Sequence, residues 1–161
     1  MGNKSGSLEW AESGLQGRRE YMEDAYAAIT HFGGNQNWAF FGIYDGHFGD
    51  GCSKYIAANI PKLLLKEPKL NESPAEALVS AYLKCDKEYL AMAKEKKMLD
   101  GSTAVSVFIK GNKLFCANTG DSRAVMCQGG KAIALSEDQK PEHPKEQKRY
   151  KLLISLMAPA Y

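Results

Sequence analysis

The 161-residue sequence has no dominant charge, no long apolar run and no closely spaced cysteines. Each absence removes a class of function. Its 21 Lys and Arg stand against 19 Asp and Glu, a formal net charge of +2, with the two signs intermixed along the chain. Without a basic stripe, nucleic-acid binding is not indicated, and a metal-dependent nuclease is disfavoured for the same reason. No apolar stretch, residues 152–157 included, approaches the length that spans a membrane, so no transmembrane segment is expected. Cys52, Cys85, Cys116 and Cys127 show neither CxxC nor Cys/His zinc spacing, and no secretory segment precedes them. They read as reduced thiols of an intracellular protein, cytoplasmic or nuclear, with no disulfide and no structural zinc expected. No internal repeat is apparent. The Met1-Gly2 start invites N-myristoylation, but Gly6 sits where Ser or Thr is preferred, so residues 1–16 are expected to be a flexible polar segment.

With 44% hydrophobic and 25% charged residues, the chain has the composition of one ordinary globular domain. Residues 25–31 and 38–44 read as strands joined by the turn-rich Gly33-Gly34-Asn35-Gln36-Asn37. The second is almost continuously apolar, as a strand covered on both faces would be, and it ends at Asp45. Residues 51–66 carry an imperfect helical period with Pro61 as a kink or restart. A second helix is expected from Ser73 as N-cap, with Pro74 first and Glu76 third, its apolar period running to Met92. The pattern then turns to period two: strands at 103–109 and 113–117, and at 123–127 and 131–135, the latter pair around Gln128-Gly129-Gly130. Residues 138–148 read as charged loop or early helix. Strands, two helices and then strands imply an α+β plan rather than alternating βαβ units.

Two acidic signatures, Met22-Glu23-Asp24 and Asp45-Gly46-His47, lie where strand runs meet loops. Carboxylates at strand ends can converge, and clustered anions are tolerable when a cation offsets them, so a divalent metal site is inferred. Glu23, Asp24, Asp45 and the Gly46 carbonyl are the hard oxygen donors that Mn²⁺ or Mg²⁺ prefers. A metal acidifies bound water and polarises a phosphoryl oxygen, so phosphate-ester hydrolysis would need no nucleophilic side chain. Arg19 could grip a phosphate with its two-pronged fork, while Arg18 reads as its solvated neighbour, although sequence alone does not separate them. His47 is suited to protonating a leaving alkoxide near neutral pH; His31 and His143 read as structural or idle. Gly120-Asp121-Ser122-Arg123 places another carboxylate after a strand, and locally Gly101-Ser102-Thr103-Ala104 is a strand start.

In order, Gly17-Arg18-Arg19 with Met22-Glu23-Asp24, Tyr44-Asp45-Gly46-His47, Gly101-Ser102-Thr103-Ala104, Asn118-Thr119-Gly120-Asp121-Ser122-Arg123 and Asp138-Gln139-Lys140-Pro141 resemble the metal-dependent type 2C serine/threonine protein phosphatases. The resemblance implies part of a β-sandwich of antiparallel sheets flanked by a helix pair. A Mn²⁺ or Mg²⁺ pair would lie at its edge, and a bridging water would attack phosphoserine or phosphothreonine in phosphoprotein substrates. It implies that Asp45 bridges the metals, Gly46 gives its carbonyl, and Glu23 and Asp24 hold one metal directly or through water. Arg19 would bind phosphate, His47 would be the general acid, and Asp121 would serve a weaker third metal. Gln139 stands where the family often has His.

Residues 17–149 would then be the N-terminal portion of such a domain. The family's later Asp-Gly-x-x-Asp and Asp-Asn motifs do not follow, and residues 150–161 form a divergent apolar tail. The expected consequences are an incomplete two-metal site, weakened metal affinity and open sheet edges that a partner chain could cover. The alternative to an active phosphatase is a catalytically silent fragment that acts as a binding or competitor module.

Overall fold

The computed structural model describes residues 8–157, with side chains described through residue 152. Its central element is a four-stranded antiparallel sheet in the order β1-β2-β5-β6, formed by Ala25–Thr30 (β1), Trp38–Tyr44 (β2), Ala104–Lys110 (β5) and Lys113–Thr119 (β6). Between β2 and β5 the chain makes the short strand β3 (Gly46–His47), helices α1 (Gly51–Leu65) and α2 (Pro74–Lys96), and β4 (Gly101–Ser102), which pairs with β3. A separate hairpin, β7 (Val125–Gln128) with β8 (Lys131–Ala134), and helix α3 (Pro144–Met157) follow. The fold is α+β with antiparallel sheets and a flanking helix pair, as the order of periodicities predicts.

Side chains on a strand alternate between faces, so register decides which residues meet the helices. Phe40 of β2 lies opposite Ile29 of β1 and Phe108 of β5, and Phe108 lies opposite Phe115 of β6. Phe40, Phe108 and Phe115, with Tyr44 and Ala104, pack against Ile56, Ile60 and Leu64 of α1 and Leu78, Ala81 and Cys85 of α2. Phe40, Phe108, Tyr44 and Leu64 are completely buried. Phe108 meets Phe32 and Trp38 edge-on, with ring centroids 5.5 and 5.4 Å away, and stacks near Phe115 at 6.2 Å. Burying each such phenylalanine contributes about 1.5–3 kcal/mol. The opposite face carries Tyr26, Phe41, Ile43 and Val107 by alternation; Tyr26 and Ile43 remain about half exposed, and Trp10 rests on Phe41 with centroids 6.0 Å apart.

Two local expectations are revised. Pro61 does not restart α1; it is buried inside a continuous helix. Ser73 occupies the N-cap position of α2 but makes no side-chain cap, since its hydroxyl meets the Glu76 carboxylate instead. Of the loop-or-early-helix alternatives for residues 138–148, the helix holds from Pro144, and α3 continues through residue 157 of the segment read as an apolar tail. Residues 1–7, the region of the myristoylation reading, and residues 158–161 lie outside the described residues. Cys52 and Cys85 are buried free thiols, Cys116 is half-buried and Cys127 is exposed.

Candidate metal centre

The apolar run of β2 ends at Tyr44, and Asp45 follows directly. Its backbone is held from both sides by Thr103. The Asp45 N–H donates to Thr103 Oγ1 at 3.1 Å, and the Asp45 carbonyl accepts the Thr103 N–H at 2.9 Å. Gly46 then pairs with Ser102 and His47 with Gly101. The segment 100–103 therefore runs as a brace along 45–47.

The first acidic signature reaches this point through glycine. A Cβ on Gly46 would lie 2.3 Å from the Glu23 carbonyl oxygen and 2.8 Å from Ser53 Oγ, closer than atoms can approach, so only glycine lets the two signatures touch. Ser53 Oγ donates to the same Glu23 carbonyl at 2.5 Å, and Glu23 Oε1 accepts the Gly49 N–H at 2.6 Å. Glu23 is thus tied to the first turn of α1 by its backbone and to the loop before α1 by its side chain.

Loss of hydration raises the Asp45 carboxyl above the usual aspartate range; nearby His47 opposes the rise, while Asp24 and Asp121 add to it and Asp24 also hydrogen-bonds to it. His47 Nδ1 lies 3.1 Å from the Asp45 carbonyl and 3.7 Å from Asp45 Oδ1. A carbonyl can only accept, so Nδ1 carries the hydrogen and Nε2 is the nitrogen left for a ligand.

The Asp121 loop is fastened to the same brace. Thr103 Oγ1 and Ser122 Oγ are 2.6 Å apart, and Gly120, at φ +95°, packs so closely on Thr103 that a Cβ would meet its methyl at 2.8 Å. Gln139 fixes Gly120 reciprocally: the Gly120 N–H donates to Gln139 Oε1, and the Gln139 N–H donates to the Gly120 carbonyl, both at 3.0 Å. Arg123 and Asp138 form a two-pronged ion pair at 2.8 Å for each bond. Lys140 Nζ reaches to 3.9 Å from Asp121 Oδ2.

Of the residues singled out from sequence, Glu23, Asp24, Asp45, Gly46 and His47 lie together, and Asp121 is near enough to act on Asp45 electrostatically. Arg18 and Arg19 are both exposed ahead of β1, and neither has an ion-pair partner among the described residues. Asp24 and Asp45 present adjacent hard anionic oxygens whose repulsion one divalent ion would relieve, and this pair fits such an ion with water completing its shell. Among the described residues no three His, Cys, Asp or Glu side chains gather as a ready cation site. Sequence reasoning missed Ser53, Thr103, Ser122 and Asp100. Their roles arise from contacts across distant parts of the chain, and of these only Thr103 and Ser122 fell within motifs already noted. The apolar groove between α2 and β6, about 530 Å³ and lined by Leu78, Tyr82, Leu114 and Phe115, lies away from the acidic cluster.

Residues 9–153 match the family described as Protein phosphatase 2C. The chain is 39% identical over 148 residues to Probable protein phosphatase 2C 55 of Oryza sativa subsp. japonica, an alignment covering 91% of this chain and 39% of that protein. In fold it is similar to a C.elegans sex determining protein, with TM-score 0.76 at 22% identity, covering 86% of this chain and 36% of the other. It is likewise similar to serine-threonine phosphatase 2C from Toxoplasma gondii, with TM-score 0.73 at 24% identity, covering 83% and 51%. The chain thus spans well under two thirds of the proteins it matches. No helix among the described residues is long and apolar enough to cross a membrane.

Proposed function

This chain belongs to the protein phosphatase 2C family, and from that premise we propose that it hydrolyses phosphoserine and phosphothreonine in proteins with the help of Mn²⁺ or Mg²⁺. The observation that carries the reading is the contact of the two acidic signatures through Gly46, which sets Glu23, Asp24 and Asp45 at one corner of the sheet. Asp45 and Asp24 would hold the ion with the Gly46 carbonyl, and Asp121 would assist from the neighbouring loop. The ion supplies Lewis acidity, polarising a phosphoryl oxygen and acidifying water. Arg19, free of carboxylates, would grip two phosphoryl oxygens of the substrate. His47, with Nδ1 held on the Asp45 carbonyl, would donate a proton from Nε2 to the departing serine or threonine oxygen, which requires the imidazolium form. The substrate would be an intracellular phosphoprotein.

A second reading is a catalytically silent member that binds phosphoproteins or competes for them. The absence of a three-carboxylate cluster among the described residues favours it. Turnover of a phosphothreonine peptide with Mn²⁺ separates the two. Turnover that disappears in Asp45→Ala supports the enzyme; folded protein without turnover supports the silent module.

A further inference from the structure

Asp100 opens the brace and belongs to neither acidic signature. Its Oδ2 accepts the Cys52 N–H at 2.6 Å and the Tyr89 O–H at 2.7 Å. Tyr89 is buried and meets Tyr55 of α1 at a tilt with ring centroids 5.2 Å apart, so the carboxylate links the first turn of α1 to the body of α2. Asp100 Oδ1 is also buried and has no hydrogen-bond partner among the described residues. A surface N-cap needs no such enclosure, and a half-satisfied buried carboxylate is costly unless it fixes something. Glycines on both sides record how tight the fit is. A Cβ on Gly51 would sit 2.7 Å from Asp100 Oδ2, and one on Gly49, whose φ is +128°, would lie 3.4 Å from Asp100 Cβ.

What the clamp fixes is the loop that joins His47 to α1. The Gly49 N–H is the donor to Glu23 Oε1, and Gly101, next to Asp100, pairs with His47. We propose that Asp100 is a positioning residue for the candidate centre: by pinning the first turn of α1 to Tyr89, it holds the Gly49 amide on Glu23 and keeps 46–47 in register with 101–102. The inference rests on the metal-dependent reading above and adds a residue that touches neither ion nor substrate. Partners of this kind change metal affinity about 10–100-fold when removed.

The test compares the parent chain with Asp100→Ala, Asp100→Asn and Leu70→Ala. Leu70 is buried far from the loop, so its variant serves as a control for lost stability alone. Mn²⁺ uptake is measured by calorimetry, and exchange of the Gly49 amide hydrogen by NMR. Asp100→Ala is expected to bind Mn²⁺ about tenfold or more weakly and to exchange the Gly49 amide faster. Asp100→Asn, which keeps an acceptor for Cys52 and Tyr89, should recover most of both, and Leu70→Ala should change neither beyond its effect on melting. Equal Mn²⁺ affinity in Asp100→Ala and the parent overturns the positioning role while the metal reading stands. A loss in Leu70→Ala as large as in Asp100→Ala overturns it too. No uptake by the parent overturns both.

Discussion

Replacing Gly46 by alanine puts the contact between the two acidic signatures to direct test. The added methyl carbon would lie 2.3 Å from the Glu23 carbonyl oxygen, 2.8 Å from Ser53 Oγ and 3.1 Å from the Glu23 carbonyl carbon. Two of these three neighbours are backbone atoms, and the third is a hydroxyl already bonded to that backbone, so no flexible side chain can yield. Either the 23–24 segment separates from 45–47 or β3 shifts on β4. Overpacking of this kind costs about 1–3 kcal/mol. For a chain of this size each kcal/mol lowers the melting temperature by roughly 2–4 °C, so Gly46→Ala should melt about 2–12 °C below the parent. Gly101, on the partner strand, supplies the internal control: a Cβ there meets nothing within 4 Å, and Gly101→Ala should stay within about 0.5 kcal/mol of the parent. Thermal melts followed by circular dichroism give the stability arm, and Mn²⁺ titration at a temperature where both variants are folded gives the binding arm. Gly46→Ala should lose Mn²⁺ affinity and Gly101→Ala should keep it. A Gly46→Ala chain that melts within a degree of the parent and takes up Mn²⁺ equally well refutes the close contact and its proposed role.

Phe108→Ala removes a fully buried ring that touches Phe32, Trp38 and Phe115, and urea unfolding should register a loss of about 3–5 kcal/mol. Burial pushes the Cys52 thiol up to about 11 and the Cys85 thiol up to about 12, so at pH 8 Ellman's reagent should titrate exposed Cys127 rapidly and these two only after denaturant is added. The same shifts, with burial also raising Tyr82 and Tyr89, fix the alkaline behaviour. Above about pH 8.5 unfolded thiols lose protons that the folded state retains, so the unfolding free energy should fall as pH rises from there through about 11. A flat profile between pH 8 and 11 would contradict the burial of these groups.

Much of the architecture was legible because its signals are local. The continuous apolar run 38–44 marked β2 at its true boundaries, and the Gly111-Asn112 and Gly129-Gly130 turns marked two hairpins. The α2 period was plain, although its cap chemistry was not: Ser73 turns its hydroxyl to Glu76 because that carboxylate competes with the helix amides for it. Strand β3 could not be read, since two residues carry no periodicity, and Gly101-Ser102, legible as a strand start, forms the separate strand β4 by pairing with β3 across the helix pair. The acidic corner was legible as motifs but not as a mechanism of assembly. Glu23 meets Gly46 through absent side-chain volume, and Asp100 acts through Cys52 and Tyr89, contacts that no spacing rule encodes. Arg19 and Arg18 remain alike in the structure because both lie exposed ahead of the first strand.

Neighbouring strands β2 and β5 are separated in sequence by both long helices, so their pairing closes the largest loop in the sheet. Loop closure of this length delays folding, because the entropic cost comes before the contacts that reward it. Asp45 lies at the end of one of these strands and Thr103 at the start of the other, so the step that zips the sheet also creates the corner for a cation. A nascent chain that has emerged only through α2 carries Glu23, Asp24 and Asp45 beside β1 and β2 but lacks the Thr103 contacts that hold the Asp45 backbone from both sides. Competence to capture the ion should therefore arise abruptly during synthesis, once β5 docks, rather than growing with each carboxylate added.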